Sequence, residues 1–398
     1  MKKPQLSPHL TMCLIGFSYI ASSSVIAPIL SIYIKDVMQA PVEMVGLVTS
    51  AFFISSALAK LILGFFAGGK RTISFLLISF IIFSVCPALY PLTRDVFVLT
   101  VIRTVQGFSY AFIGTASLIL AALTISSLER DKGVGIYTAF LSLGLLAGPL
   151  ITTFSIPFFG VSNTFFFAAL AGLVGIYAAY ILNRKFSEIE RDWQVIGVRV
   201  EREPLKNKIL AIIRNRMFAT AFIGNLSFFI LFGVILVYAP LYAKGNLNFS
   251  DELVSMVFLL YYVATTLTRL NVGKIVQKVS KDKLLLLGTA LSVLLAFSLA
   301  YFKNGYVFAA VFAMIGAVQG ILFPVGSMLI AERIHPSRNV LANSLYMMGI
   351  DMGQGIAPLI TAGIAIQYGL AYTFIVSAVI SAFATIAILL MSRFNQKS

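Results

Sequence analysis

The chain has 398 residues, of which 59% are hydrophobic and only 11% charged, and its formal net charge is +15. An ordinary soluble domain holds about 45–50% apolar and about 25% charged residues, so this composition excludes a single aqueous core and places the chain in lipid. The positive balance does not point to nucleic acid, because the basic residues fall almost entirely on one side once the apolar blocks are laid across a membrane.

A hydrocarbon layer of about 30 Å takes about 20 apolar residues as helix, and without water the backbone must bond within a helix or a closed barrel. The blocks are too long for barrel strands, so the reading is an all-α membrane protein with twelve transmembrane helices. They are expected at 10–34, 43–67, 72–91, 96–124, 133–156, 162–183, 217–243, 251–277, 283–302, 306–331, 338–366 and 370–392. Residues 1–183 form one six-helix bundle, 184–216 a cytoplasmic linker and 217–398 a second bundle. The first block is too long for a signal peptide and lacks a clear cleavage pattern. Cys13 and Cys86 fall inside spans, and His9 and His335 stand at span edges without clustered ligands, so neither a disulfide framework nor a metal is indicated. Gly64 to Lys70 has the spacing of a phosphate loop, but Arg71 stands where Ser or Thr is needed and a membrane helix precedes it. The linker interleaves acidic with basic residues and carries Trp193, Val195, Ile196, Val198 and Val200, as a solvated connection with a short interfacial segment would.

With the amino terminus inside, one face collects Lys2, Lys3, Lys70, Arg71, Arg130, Lys132, the linker bases, Lys274, Lys278, Lys281, Lys283, Arg333, Arg338, Arg393 and Lys397. The other holds Lys35, Arg94, Lys244 and Lys303. The asymmetry puts both termini in the cytoplasm of a multi-pass protein of the cell inner (plasma) membrane.

The second half echoes the first. Lys60 to Gly64 matches Arg269 to Gly273, and Gly144, Pro149, Leu150 and Ile151 match Gly353, Pro358, Leu359 and Ile360, both at a displacement of 209. Val105-Gln106-Gly107 is repeated as Val318-Gln319-Gly320, and Ala27, Pro28, Tyr33 and Lys35 as Ala239, Pro240, Tyr242 and Lys244. Internal duplication of a polytopic chain is the pattern of secondary transporters, whose substrate site lies between the repeats near the midplane.

In the fifth span Gly135, Gly144, Gly148 and Pro149 put small residues near one face, permitting close packing between bundles, while Pro149 removes a backbone donor and bends the helix. This spacing resembles the signature of drug and metabolite antiporters of the major facilitator superfamily, and the resemblance covers nearly the whole chain. The superfamily pattern continues with two glycines where Thr152 and Thr153 stand here. Arg103-Thr-Val-Gln106-Gly107 resembles the superfamily motif whose arginine is implicated in proton transfer. An arginine in a spanning helix must face the bundle interior or a water-filled cavity, or snorkel to the interface. Gly64 and Gly273 begin what resembles the superfamily's loop between helices 2 and 3 and its weaker copy, with Gly68 and Gly69 in place of its usual acidic and basic residues.

Asp351 is the only acidic residue well inside any expected span, on a stripe with Asn343, Met347 and Gln354. It is a proton carrier or a structural carboxylate bonded to a neighbouring helix. Lys60, Arg269 and Lys70 are expected at a cytoplasmic gate with Arg71, Glu129-Arg130 and Glu332-Arg333, whose charges meet in one conformation and part in the other, or they anchor the topology. The expected cavity is lined by Tyr19, Ser23, Arg103, Gln106, Asn225, Tyr261, Gln319, Asn343, Asp351 and Gln354.

What the resemblance implies is a monomeric, lipid-embedded permease of two pseudo-symmetric six-helix bundles, with no cofactor and no enzymatic activity. It exports a small apolar or amphipathic molecule in exchange for protons, with Asp351 and Arg103 coupling the two. No carboxylate stands in the first span, so neutral and anionic substrates stay open, with Arg103 available to an anion. A proton-driven symporter or uniporter for a sugar, peptide or organic acid is the alternative, and a membrane enzyme acting on lipids a remote one that lacks a convergent nucleophile, acid or metal set.

Overall fold

The computed structural model describes residues 7–63, 70–123, 130–184 and 205–395, and every regular element among them is helical. The spanning helices are α1 (Pro8–Ile26), α2 (Val42–Leu63), α3 (Lys70–Leu89), α4 (Val96–Leu123), α7 (Arg216–Leu247), α8 (Asp251–Lys278), α9 (Lys281–Tyr301), α10 (Gly305–Arg333), α11 (Pro336–Gln367) and α12 (Leu370–Asn395). The stretch Arg130–Arg184 is two helices, α5 (130–159) and α6 (161–184), separated at Gly160 by φ +72° and ψ 170°. That conformation is open to glycine, so a single residue makes the break where the apolar pattern predicts a five-residue connection.

Helix ends follow local chemistry. Ser7 caps α1, its Oγ accepting from the Leu10 amide at 3.2 Å, with Pro8 at the first helical position, where its missing N–H costs nothing. Asn215 caps α7 and Asn304 caps α10, each accepting two backbone amides. The first span is not the continuous helix expected over 10–34. Just before and after Pro28 the helix stops, then resumes as the turn Leu30–Ile32 and a π-helical turn Tyr33–Val37.

The linker, expected as solvated chain, also carries a helix, Leu205–Arg214. It packs against α7 and α11 with Ile212 fully buried, while Ile213 stays exposed. The apolar segment around Trp193 lies outside the described residues.

The duplication is visible in the packing. A Cβ at Gly144 would lie 2.7 Å from Phe17 O on α1, and one at Gly353 3.0 Å from Leu226 O on α7. The second contacts are Ala21 and Ile230, so the partners shift by the same 209 residues as the glycines. Gly107 seats α4 on Phe52 and Ser55 of α2, and Gly320 seats α10 on Thr265 and Thr268 of α8. Small residues at matching places let helix backbones meet closely in each half.

Call the face where α1 begins the terminal face and its opposite the distal face. The distal part of the first half (Ile29, Leu30, Val45, Val48, Leu99, Phe165) shares one continuous apolar core with the second half, including Phe229, Phe232 and Tyr261. The terminal part of the first half (Met12, Ile15, Tyr19, Phe52, Phe80, Ile113, Tyr137) forms a separate core. The halves are thus joined distally. Ser31 Oγ donates to Leu236 O at 3.1 Å, and Lys244 Nζ of α7 bridges Asp36 at 2.6 Å and Asp251 at 2.5 Å.

Candidate functional site

Asp351 sits midway along α11, 3% exposed. Its carboxylate accepts from Lys60 Nζ at 2.6 Å and from Ser56 Oγ at 2.5 Å. Ser56 and Lys60 are four residues apart on α2 and share a face. Helical side chains lean toward their own N-terminus, which for α2 is the distal end, so Lys60, three residues from the other end, reaches back toward the midplane. Lys60 therefore meets Asp351 of the opposite half instead of Glu332, which is bonded to Lys281. Two buried charges are tolerable here because each has its counter-charge and the carboxylate a second donor.

Arg103 is 5% exposed and turns inward, so it does not snorkel. Its Nη1 donates to Gln106 Oε1 at 2.8 Å and to Tyr90 Oη at 3.2 Å, and its Cζ lies 4.1 Å from the Phe52 ring centroid. Tyr90 also donates to Gln106 Oε1. Among the described residues Arg103 has no carboxylate partner, and Asp351 is not brought to it. Among the described residues the two are linked through rings: Phe52 packs on Tyr110 at 5.1 Å, and Lys60 Nζ lies 5.5 Å from the Tyr110 centroid.

Arg269 departs furthest from expectation. By residue spacing it matches Lys60, but the neighbours of Gly107 and Gly320 correspond at a displacement of 213, so in space Arg269 takes the place of Ser56. It lies a turn deeper than a gate residue. Its Cζ is 5.3 Å from the Phe323 ring centroid, its Nε is buried without a partner, and it makes no hydrogen bond or ion pair among the described residues.

Several expected cavity groups are spent on structure. Asn225 Nδ2 ties α7 to α10 through Leu322 O at 3.2 Å, and Ser23, Asn343 and Gln354 bond back to Tyr19, Asn339 and Ile350 in their own helices. Gln319 Oε1 accepts from Thr265 at 3.4 Å. Tyr19 and Tyr261 are buried, and both act electrostatically on Arg269. Gly144 and Gly148 pack α5 on α1 within one half, not between halves, the adjoining Pro149 is buried, and Gly135 faces open space. Of the expected gate, Gly64 and Glu129 lie outside the described residues, as do the side chains of Lys70, Arg71 and Arg130; Gly273 and Arg333 are exposed. Ser56, Phe52, Tyr90 and Tyr110 escaped the sequence reading, although Ser56 stands one turn before Lys60 on the same face. Among the described residues no group of three His, Cys, Asp or Glu could hold a metal.

The family description Major Facilitator Superfamily matches residues 12–305 and 222–397. Multidrug resistance protein MdtG of Salmonella arizonae is 24% identical over 373 residues, covering 90% of this chain and 88% of the relative. Its counterpart from Dickeya zeae is 23% identical over 368 residues with the same coverage. Two crystal structures of the nucleoside transporter NupG, one of a mutant, superpose with TM-scores of 0.77 and 0.75 at 13% identity, covering 96% and 97% of this chain and 99% of each NupG chain. At that identity the likeness speaks to the fold. With duplicated halves meeting at buried polar residues, and with the family description spanning nearly its whole length, the chain belongs to the Major Facilitator Superfamily and is a membrane transporter.

Proposed function

We propose that the protein exports small apolar or amphipathic molecules across the plasma membrane in exchange for protons, as a monomer in lipid with both termini in the cytoplasm. One observation carries the reading: the Lys60–Asp351–Ser56 junction is buried and joins the two halves at the midplane. Export is supported by the multidrug relatives, and the orientation by the excess of Lys and Arg on the terminal face.

The cycle follows from the charges. With Asp351 ionised, the Lys60 pair holds α2 against α11 and keeps the distal side closed, so substrate enters from the terminal face. Substrate entering from that face displaces the pair, the halves rock, and substrate leaves distally. Asp351, then open to the distal side, takes up a proton there, which cancels its charge and lets the empty halves rock back. Release of the proton to the terminal face restores the pair. No cofactor enters, and the proton is the coupling ion.

The test is flux in proteoliposomes under an imposed pH gradient, compared with substrate exchange without one. Asp351→Asn should retain exchange and lose gradient-driven flux. Wild-type coupling in that variant would remove Asp351 as the carrier, and substrate moving with the proton instead of against it would replace export by symport.

A further inference from the structure

The described spans hold three buried or half-buried cations in their interior, Lys60, Arg103 and Arg269, against one carboxylate, Asp351, which is already paired. Arg103 is surrounded by the oxygen acceptors of Tyr90 and Gln106. Arg269 has no such acceptor. A guanidinium left in a membrane interior without hydrogen bonds is costly, and one ring face at 5.3 Å does not supply acceptors for its five N–H groups.

Its surroundings point the same way. Tyr261, two turns earlier on α8, is fully buried and its hydroxyl is a second donor without a partner. Tyr19, from α1 of the other half, lies close enough to Arg269 to interact electrostatically with it. Arg269 thus stands where the separate core of the first half, through Tyr19, faces the joined core, through Tyr261. It is one turn deeper than the position its sequence match suggests, as the packing of Gly320 shows.

We propose that Arg269, with the Tyr261 hydroxyl and Tyr19, is the head-group subsite of the transport path, and that it selects substrates carrying a carboxylate, phosphonate or phosphate. This rests on the transport reading above and adds the substrate's charge to it. A planar anion fits the paired donors of the guanidinium, Tyr261 supplies a further donor, and the aromatic rings of Tyr19 and Phe323 flank the apolar remainder. A cationic solute finds no unpaired carboxylate in the interior of the described spans and meets like charge. The site draws on both halves, so an anion bound there contacts each of the moving bodies.

The experiment uses the full chain in proteoliposomes and three isosteric probes: 1-naphthoate, neutral 1-naphthamide and 1-naphthylmethylammonium. Inorganic phosphate is added separately as a competitor. Wild type should move the naphthoate at least 10-fold faster than the other two. Arg269→Gln should lose that preference by about 10- to 100-fold, the worth of a charged hydrogen bond, while Arg269→Lys keeps part of it. Competition by phosphate would assign the site to the bare oxyanion, and its absence to an organic anion; both uphold the anion subsite. A misfolded Arg269→Gln is recognised by loss of its thermal transition, and Arg269→Lys together with Tyr261→Phe, expected to weaken naphthoate 3-fold or more, then carries the test. Preference of wild type for the amide or the ammonium overturns the anion subsite while leaving transport intact. Failure to move any probe of any charge, or any other solute, overturns the transport reading and this inference with it.

Discussion

Replacing Asp351 by Asn tests the junction most directly. Asp351 accepts two charge-assisted bonds, from Lys60 at 2.6 Å and Ser56 at 2.5 Å, at side-chain exposures of 4% for Asp351 and 11% for Lys60. Bonds to charged groups are worth about 1.5–3 kcal/mol each and neutral ones about 1 kcal/mol. The amide keeps one acceptor oxygen and loses the charge, so the distally closed state should lose about 2–3 kcal/mol relative to the distally open one. That shifts the equilibrium by about 30- to 150-fold. The reporter is a cysteine at Leu30, which is buried in the distal core, in a chain whose buried Cys13 and Cys86 are replaced by alanine. Its labelling rate with a membrane-impermeant thiol reagent measures how often the distal side opens. Asp351→Asn and Lys60→Gln should each raise that rate, and the double variant should raise it far less than the two effects multiplied, because each single change leaves the other group unpaired. Unchanged labelling in Asp351→Asn, or strictly multiplicative effects in the pair, would refute the idea that this bond holds the halves together.

Lys244→Ala should raise the same labelling rate by at most about fivefold, since its partner Asp36 is 43% exposed, and high salt should erase the difference. Gly144→Ala should cost the purified protein about 1–3 kcal/mol, read as a lower thermal midpoint, because the new Cβ would press within 2.7 Å of Phe17 O and α1 must shift; a midpoint equal to wild type would show that α1 gives way freely. Arg103→Met leaves Gln106 Oε1 and the Tyr90 hydroxyl to each other and should destabilise by about 1–3 kcal/mol, with Arg103→Lys in between; equal stability of all three would deny the guanidinium its role in fastening α4 to the end of α3.

Arg269 shows how far residue spacing carries an argument. The match of Lys60 to Gly64 with Arg269 to Gly273 is real in the chain, yet it misplaces the arginine by a helical turn. The glycines that seat α4 and α10 correspond at 213 residues, and backbone contact, not residue likeness, sets depth. Gly144 and Gly148 teach the same lesson: small residues announce a close helix neighbour but do not say which, and the neighbour is α1 of the same half.

By itself the sequence determined the membrane setting, the twelve spans, the duplication and the identity of the costly polar groups Arg103 and Asp351. The setting, the spans and the costly groups are local consequences of lipid, which demands about 20 apolar residues per helix and admits an ionisable group only for a reason, while the duplication is read by laying one half of the chain over the other. Only the tertiary structure decided the partners. Lys60 and Asp351 are 291 residues apart, and their bond depends on the register of α2 against α11 across two bundles, for which no stretch of the chain carries a local signal. The break at Gly160, the deeper seat of Arg269 and its lack of an acceptor depend likewise on how the helices stack, because packing between helices, unlike insertion into lipid, is settled by surfaces remote in sequence.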